Sequence, residues 1–161
     1  MPRKLTAWMV PAVLGALALS VGSLATASAN HGSDKVVRLT FIEKTAGGTF
    51  LDFDKSGGPT VGDVFVFQND LLDPTTNAKV GTAEGHCMVI NAQGDSDCDA
   101  SGVLAGGQVR VAGFSPANAS TFSLAVTGGT GAYRGVGGQI TIESIDDSTS
   151  RDTLELTGLP H

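Results

Sequence analysis

A chain of 161 residues with 16 acidic and 10 basic side chains carries a formal net charge of −6. That balance repels phosphate backbones and anionic lipid, so neither nucleic acid nor a membrane surface is expected as a partner. The length suits one domain with a single core, and two cysteines are too few thiols for a structural zinc site.

Residues 1–29 read as a signal peptide. Arg3 and Lys4 form a basic start, an apolar run follows from Ala7 to about Leu24, and Ala27-Ser28-Ala29 supplies the small residues of a cleavage site. Pro11 and the shortness of the run argue against a membrane span. Residues 30–161 are then one exported, extracellular domain. It keeps eight basic residues against all sixteen acidic ones, so its surface is more acidic than the whole chain.

Past that segment, short alternating runs are separated by Gly, Asp, Asn and Pro, which is an all-β pattern. Val36 to Glu43 alternates, with Val37, Leu39, Phe41 and Glu43 on one face. Glu43 ends that apolar stripe. It points into an apolar interior if the strand continues, where its pKa would rise and suit it to acid–base work, or into water if the strand frays there. "FLDF", Phe50 to Phe53, is a weaker strand candidate.

Asp63 to Asn69 places Phe65, Phe67 and Asn69 together. Asn69 is either a hydrogen-bonding group at a barrel mouth or a turn residue before Asp70. Val80 to Ile90 is longer, with Gly81, Ala83, Gly85, Cys87 and Val89 on one face and His86 on the other. Cys87 and Cys98 flank a turn-like "NAQGDSD", which reads as a disulfide across a hairpin in an oxidising compartment.

The acidic alternation Asp95, Asp97, Asp99 resembles the start of a calcium loop. However, Ala100 stands where the turn glycine belongs and Gly106 where the bidentate glutamate belongs. It reads as a solvated hairpin tip, and no metal site is expected.

A weak strand candidate near Gly102 to Ala105 precedes stronger ones at Gln108–Gly113, Thr121–Thr127, Gly138–Ile145 and Asp152–Thr157. Between two of these, "AVTGGTGAYRGVGG" looks like a dinucleotide loop. Arg134 occupies its third glycine position, and the 23 residues after Gly138 leave no room for a crossover helix. Glycines there fit a turn between strands. Seven to nine strands suit a small closed barrel or a sandwich, and small residues facing inward leave space inside a barrel.

Four segments together, "GDVFVFQNDLLD", "KVGTAEGHCMVI", "FSLAVTGGTGAYRGVGGQITI" and "DTLEL", resemble the allene oxide cyclase family and the related dirigent proteins. The resemblance implies an eight-stranded antiparallel β-barrel around an apolar cavity, assembled as a homo-trimer and working without a cofactor. It also implies binding of an apolar small molecule, whose cyclisation or stereoselective coupling the barrel guides by positioning and electrostatics.

Carried over residue by residue, Glu43 matches a charge-stabilising glutamate, Asn69 an asparagine that holds a water, and Cys87 a cysteine near the reacting atoms. Phe41, Phe65, Phe67 and Val89 would shape the ligand chain. The family's second asparagine is Thr45 here, its tyrosine before "FSLAV" is absent, and Cys98 offers Cys87 a partner that competes with any thiol role. The alternative is a non-catalytic secreted binding or surface protein that keeps only the barrel.

Overall fold

The structure is a computed structural model that describes residues 35–159; the signal-peptide expectation lies outside the described residues. Eight strands follow in order: β1 (Val37–Leu51), β2 (Val64–Leu72), β3 (Lys79–Val89), β4 (Ser96–Leu104), β5 (Gly107–Ser115), β6 (Thr121–Gly129), β7 (Gly137–Asp146) and β8 (Thr149–Thr157). Each pairs antiparallel with the next, and β1 pairs with β8 to close the barrel. Closure leaves no free sheet edge, and alternate residues of every strand face the interior.

Two strands differ from the sequence expectation in ways that matter for the site. β1 does not stop near Glu43 but runs on to Leu51, with a register shift between Thr45 and Gly47 where it pairs with β2. A bulge adds a residue and resets the alternation, so the apolar period breaks there while the hydrogen-bonded ladder continues. Asp97 and Asp99 belong to β4 rather than to a hairpin tip; they alternate with Cys98 and Ala100, which are buried. The turn lies earlier, where the Asn91 side chain accepts from the backbone N–H groups of Gln93 and Asp95.

The core is lopsided. Val109 and Val111 of β5, Leu124 and Val126 of β6, and Leu154 and Leu156 of β8 pack with Cys98, Ala100 and Val136 into one buried cluster. Branched aliphatic residues fill that part of the interior. On β3 and β4 the inward positions include Ala83, Cys87, Ala100 and Gly102, which are too small to meet at the centre, and space remains.

The glycine-rich stretch connects β6 to β7 through a single 3₁₀ turn, Gly131–Tyr133. Gly138 has φ 131°, and a Cβ there would collide with the carbonyl oxygen of Glu155 on β8. Only glycine allows both that backbone and that approach.

Candidate active site

Inside the barrel lies a cavity of about 240 Å³. Phe65 and Phe67 of β2, Phe122 and Leu124 of β6 and Ile142 of β7 line it, with the Cys87–Cys98 pair. The rings of Phe65 and Phe67 stack with centroids 6.3 Å apart. A second hollow, sharing Glu43, Asn69, Phe122, Ile142 and Ser150 with the first, continues toward the β7–β8 turn, where Asp146, Asp147 and Ser148 form the rim. The shared polar residues therefore sit between an apolar chamber and an acidic mouth.

Strand register explains how the polar side chains meet. Glu43 on β1 is directly opposite Leu71 on β2 and Ser150 on β8. Its diagonal neighbours two positions along are Asn69 on one side and Asp152 on the other, close enough for polar side chains to touch. The Asn69 amide Nδ2–H donates to Glu43 Oε1. Ser150 Oγ donates to Asp152 Oδ1 at 2.8 Å.

Asp152 is the residue that sequence reasoning missed. It is 1% exposed, and its pKa is pushed up to about 9, first by loss of hydration and then by its hydrogen bond with Glu43 and that carboxylate's charge. At neutral pH it keeps its proton. A bond between two carboxyl groups requires one, and Asp152 is the group that keeps it; its Oδ2 is buried and receives no donor.

The signal was present in the alternation: Asp152, Leu154 and Leu156 share a face, as Glu43 does with Leu39 and Phe41. Asn69 Oδ1 is likewise buried without a donor, which leaves an acceptor free beside the pair. These two unpaired oxygens mark a polar spot in an otherwise apolar interior.

The other expected residues are distributed as follows. Phe65 and Phe67 line the chamber, whereas Phe41 lines a smaller void of about 40 Å³ deeper in the barrel beside Asp152. Val89 is buried at the end of β3 and lines neither space; its backbone N–H donates to the Asp63 carbonyl. Cys87 and Cys98 face each other across β3 and β4 and form a disulfide. The bridge lines the cavity and leaves no thiol at Cys87 to act on a ligand. His86 faces the outside, and Asp99 pairs with Arg110.

Residues 43–155 match the family described as "Allene oxide cyclase barrel like domain". The chain belongs to that family. Within it, the allene oxide cyclase-like barrel seen here superimposes on a pyocyanin demethylase with a TM-score of 0.68 and 27% identity, covering 75% of this chain and 100% of that one. A pterocarpan synthase dirigent protein follows at 0.64 and 18%, covering 79% and 97%. A Diels–Alderase from Streptomyces koyangensis gives 0.64 and 15%, covering 81% and 72%. At those last two identities the likeness establishes the barrel alone. No curated protein matches the chain.

Proposed function

We propose that this barrel binds an apolar small molecule outside the cell and steers its cyclisation or coupling without a cofactor. The observation that carries the reading is the Glu43–Asp152 carboxyl pair, which holds one proton: Glu43 stands at the boundary between an apolar chamber and a polar mouth, and Asp152 lies behind it beside the smaller, deeper void. Structural neighbours named for cycloaddition and for dirigent coupling support a guiding role, and the disulfide suits an oxidising location.

In this mechanism Phe65, Phe67 and Phe122 fold a flexible ligand into one reactive shape, which converts lost chain entropy into orientation before reaction. A ligand oxygen beside Glu43 accepts the pair's proton, passed from Asp152 through Glu43, or a hydrogen bond from it, as negative charge develops on that oxygen. Glu43, held by Asn69, stabilises positive charge at the carbon end. Ring closure then returns the proton to Asp152, so the step is neutral overall. Because the chamber is lined mainly by apolar side chains, both charges act at close range and need no reorganisation.

A non-catalytic binding protein is the second reading. It is favoured by the disulfide at Cys87 and by Thr45 standing where the family resemblance expects an asparagine. Incubation with a panel of epoxy fatty acids and of phenoxy-radical precursors, followed by chiral chromatography, separates the two. A guiding barrel yields enantiomeric excess that is lost in Glu43→Gln. Racemic product with every probe, together with recovery of bound ligand unaltered, would favour the binding protein.

A further inference from the structure

The chamber and the outer hollow share one electrostatic character. Among the described residues that line them, Glu43, Asp146 and Asp147 bear carboxyl groups, and none is lysine, arginine or histidine. The nearest basic residues along the strands, Lys44 and Arg151, alternate with Glu43, Ser150 and Asp152 and are exposed on the other face. The ion pairs among the described residues, Arg38–Glu155, Lys79–Asp70 and Arg110–Asp99, engage other carboxylates.

Glu43 has only neutral partners. The Asn69 amide donates to it and Asp152, which keeps its proton, stands behind it. The pair therefore carries one negative charge beside an apolar chamber, where a charge without a counter-charge is costly.

A separate observation lies at Asn69. Its Nδ2–H is committed to Glu43, which fixes the orientation of the amide, and its Oδ1 is buried and receives no donor. The neighbouring hydroxyls of Ser150 and Ser148 are committed to Asp152 and Asp146. A buried acceptor of this kind calls for an N–H or O–H group. The unmatched charge and the unmatched acceptor thus belong to hydrogen-bonded neighbours. Water can satisfy the acceptor but brings no charge, whereas one protonated nitrogen satisfies both.

The surrounding rings suit the same group. Phe65, Phe67 and Phe122 line the chamber with Glu43 and Asn69, and Phe65 is still 44% exposed, so ring surface is left for a ligand. The negative face of an aromatic ring attracts a cation, and a second aromatic body packs against it by offset stacking.

We infer that the cavity takes an aromatic amine in its ammonium form, whose N–H groups donate to Glu43 and to Asn69 Oδ1 while its ring lies against Phe65, Phe67 and Phe122. The inference rests on the reading of this cavity as the ligand site and narrows it. The carboxylate that stabilises positive charge during the guided reaction meets a ligand that brings a positive charge with it. Asp146 and Asp147 at the rim draw such a ligand inward. A ligand with a free carboxylate meets acidic groups at the rim and inside, with no basic partner, and is disfavoured.

The test is a fluorescence-anisotropy titration of the purified protein at neutral pH with three probes of one shape: naphthylmethylamine, naphthylmethanol and naphthoate. The amine should bind at least about tenfold more tightly than the alcohol, and naphthoate at least about tenfold more weakly than the alcohol. Glu43→Gln should bring the amine to within about twofold of the alcohol and leave the alcohol's affinity unchanged.

Asp147→Asn is the second variant, because its side chain is exposed on a turn held by Asp146, which accepts from the Ser148 N–H and Oγ. It should lower amine affinity about twofold to threefold at low salt, and the loss should vanish at high salt. Equal binding of amine and alcohol by the wild type, or tighter binding of naphthoate, would overturn the inference and leave the cavity a ligand site. Unchanged amine preference in both folded variants would overturn it as well. Failure of all three probes to bind would overturn both the inference and the reading on which it rests.

Discussion

At the scale of single residues, the site turns on two carboxyl groups that cannot both be charged where they stand. Asp152 is buried and retains its proton, and Glu43 lies between it and the Asn69 amide. Glu43→Gln preserves the shape and removes the charge. Binding of an apolar probe should change less than about twofold, while the rate or stereochemical bias of the guided reaction falls on the order of 10²-fold.

Asp152→Asn is the more discriminating change. It keeps an N–H donor toward Glu43 and removes the transferable proton, so a loss equal to that of Glu43→Gln indicates proton transfer, and a small loss indicates hydrogen bonding alone. Stopped-assay product ratios for both variants decide this. Glu43 and Asn69 each extend a stripe of large apolar residues, but the stripe alone left open whether they face inward, and it was the family resemblance that singled them out. Asp152 precedes a similar stripe, but its β8 segment is short and rich in Thr, Ser and Glu, and the inward face becomes evident only once Leu154 and Leu156 are seen to be buried.

Among the strands, the first half of β1 and all of β2, β3, β5, β6, β7 and β8 were legible in advance from alternating runs. β4 was not, because Cys98, Ala100 and Gly102 face inward with almost no hydrophobic contrast against Asp97, Asp99 and Ser101. The same smallness that hides the strand creates the cavity.

Two stability predictions belong at this scale. The disulfide spans a sequence separation of 11, so replacing Cys87 and Cys98 together by alanine should cost about 3 kcal/mol, read as a lower urea midpoint. Reduction of the wild type should likewise add two mass units. Gly138→Ala should destabilise by well over about 1 kcal/mol, because a Cβ there meets Glu155 and φ is positive. Gly47→Ala, where a Cβ meets nothing within 4 Å, should stay within about 1 kcal/mol. Equal costs at the two positions would mean that strand approach at Gly138 is not what fixes the β7–β8 contact.

For the molecule as a whole, the carboxylates divide into two groups with opposite pH signatures. Asp54, Asp63, Asp73, Asp95 and Asp146 all have pKa values lowered, chiefly by backbone N–H groups that donate to them. Their stabilisation is present above the unfolded carboxylate range and is lost as pH falls below it.

Asp152 runs the other way. Its folded pKa of about 9 lies above the ordinary 3.8, so the unfolded chain releases a proton that the barrel keeps. Stability from this group is full below the unfolded value and declines as pH rises toward the folded one. The slope contributed is up to about 1.4 kcal/mol per pH unit across that window.

Urea midpoints measured at pH 5, 7 and 9 should therefore fall steadily in the wild type. Asp152→Asn has no proton to release on unfolding, so its midpoints should be flatter and should exceed those of the wild type at pH 9. Parallel curves would mean that Asp152 is ionised in the folded barrel, and the carboxyl pair would then hold two charges and no proton to lend.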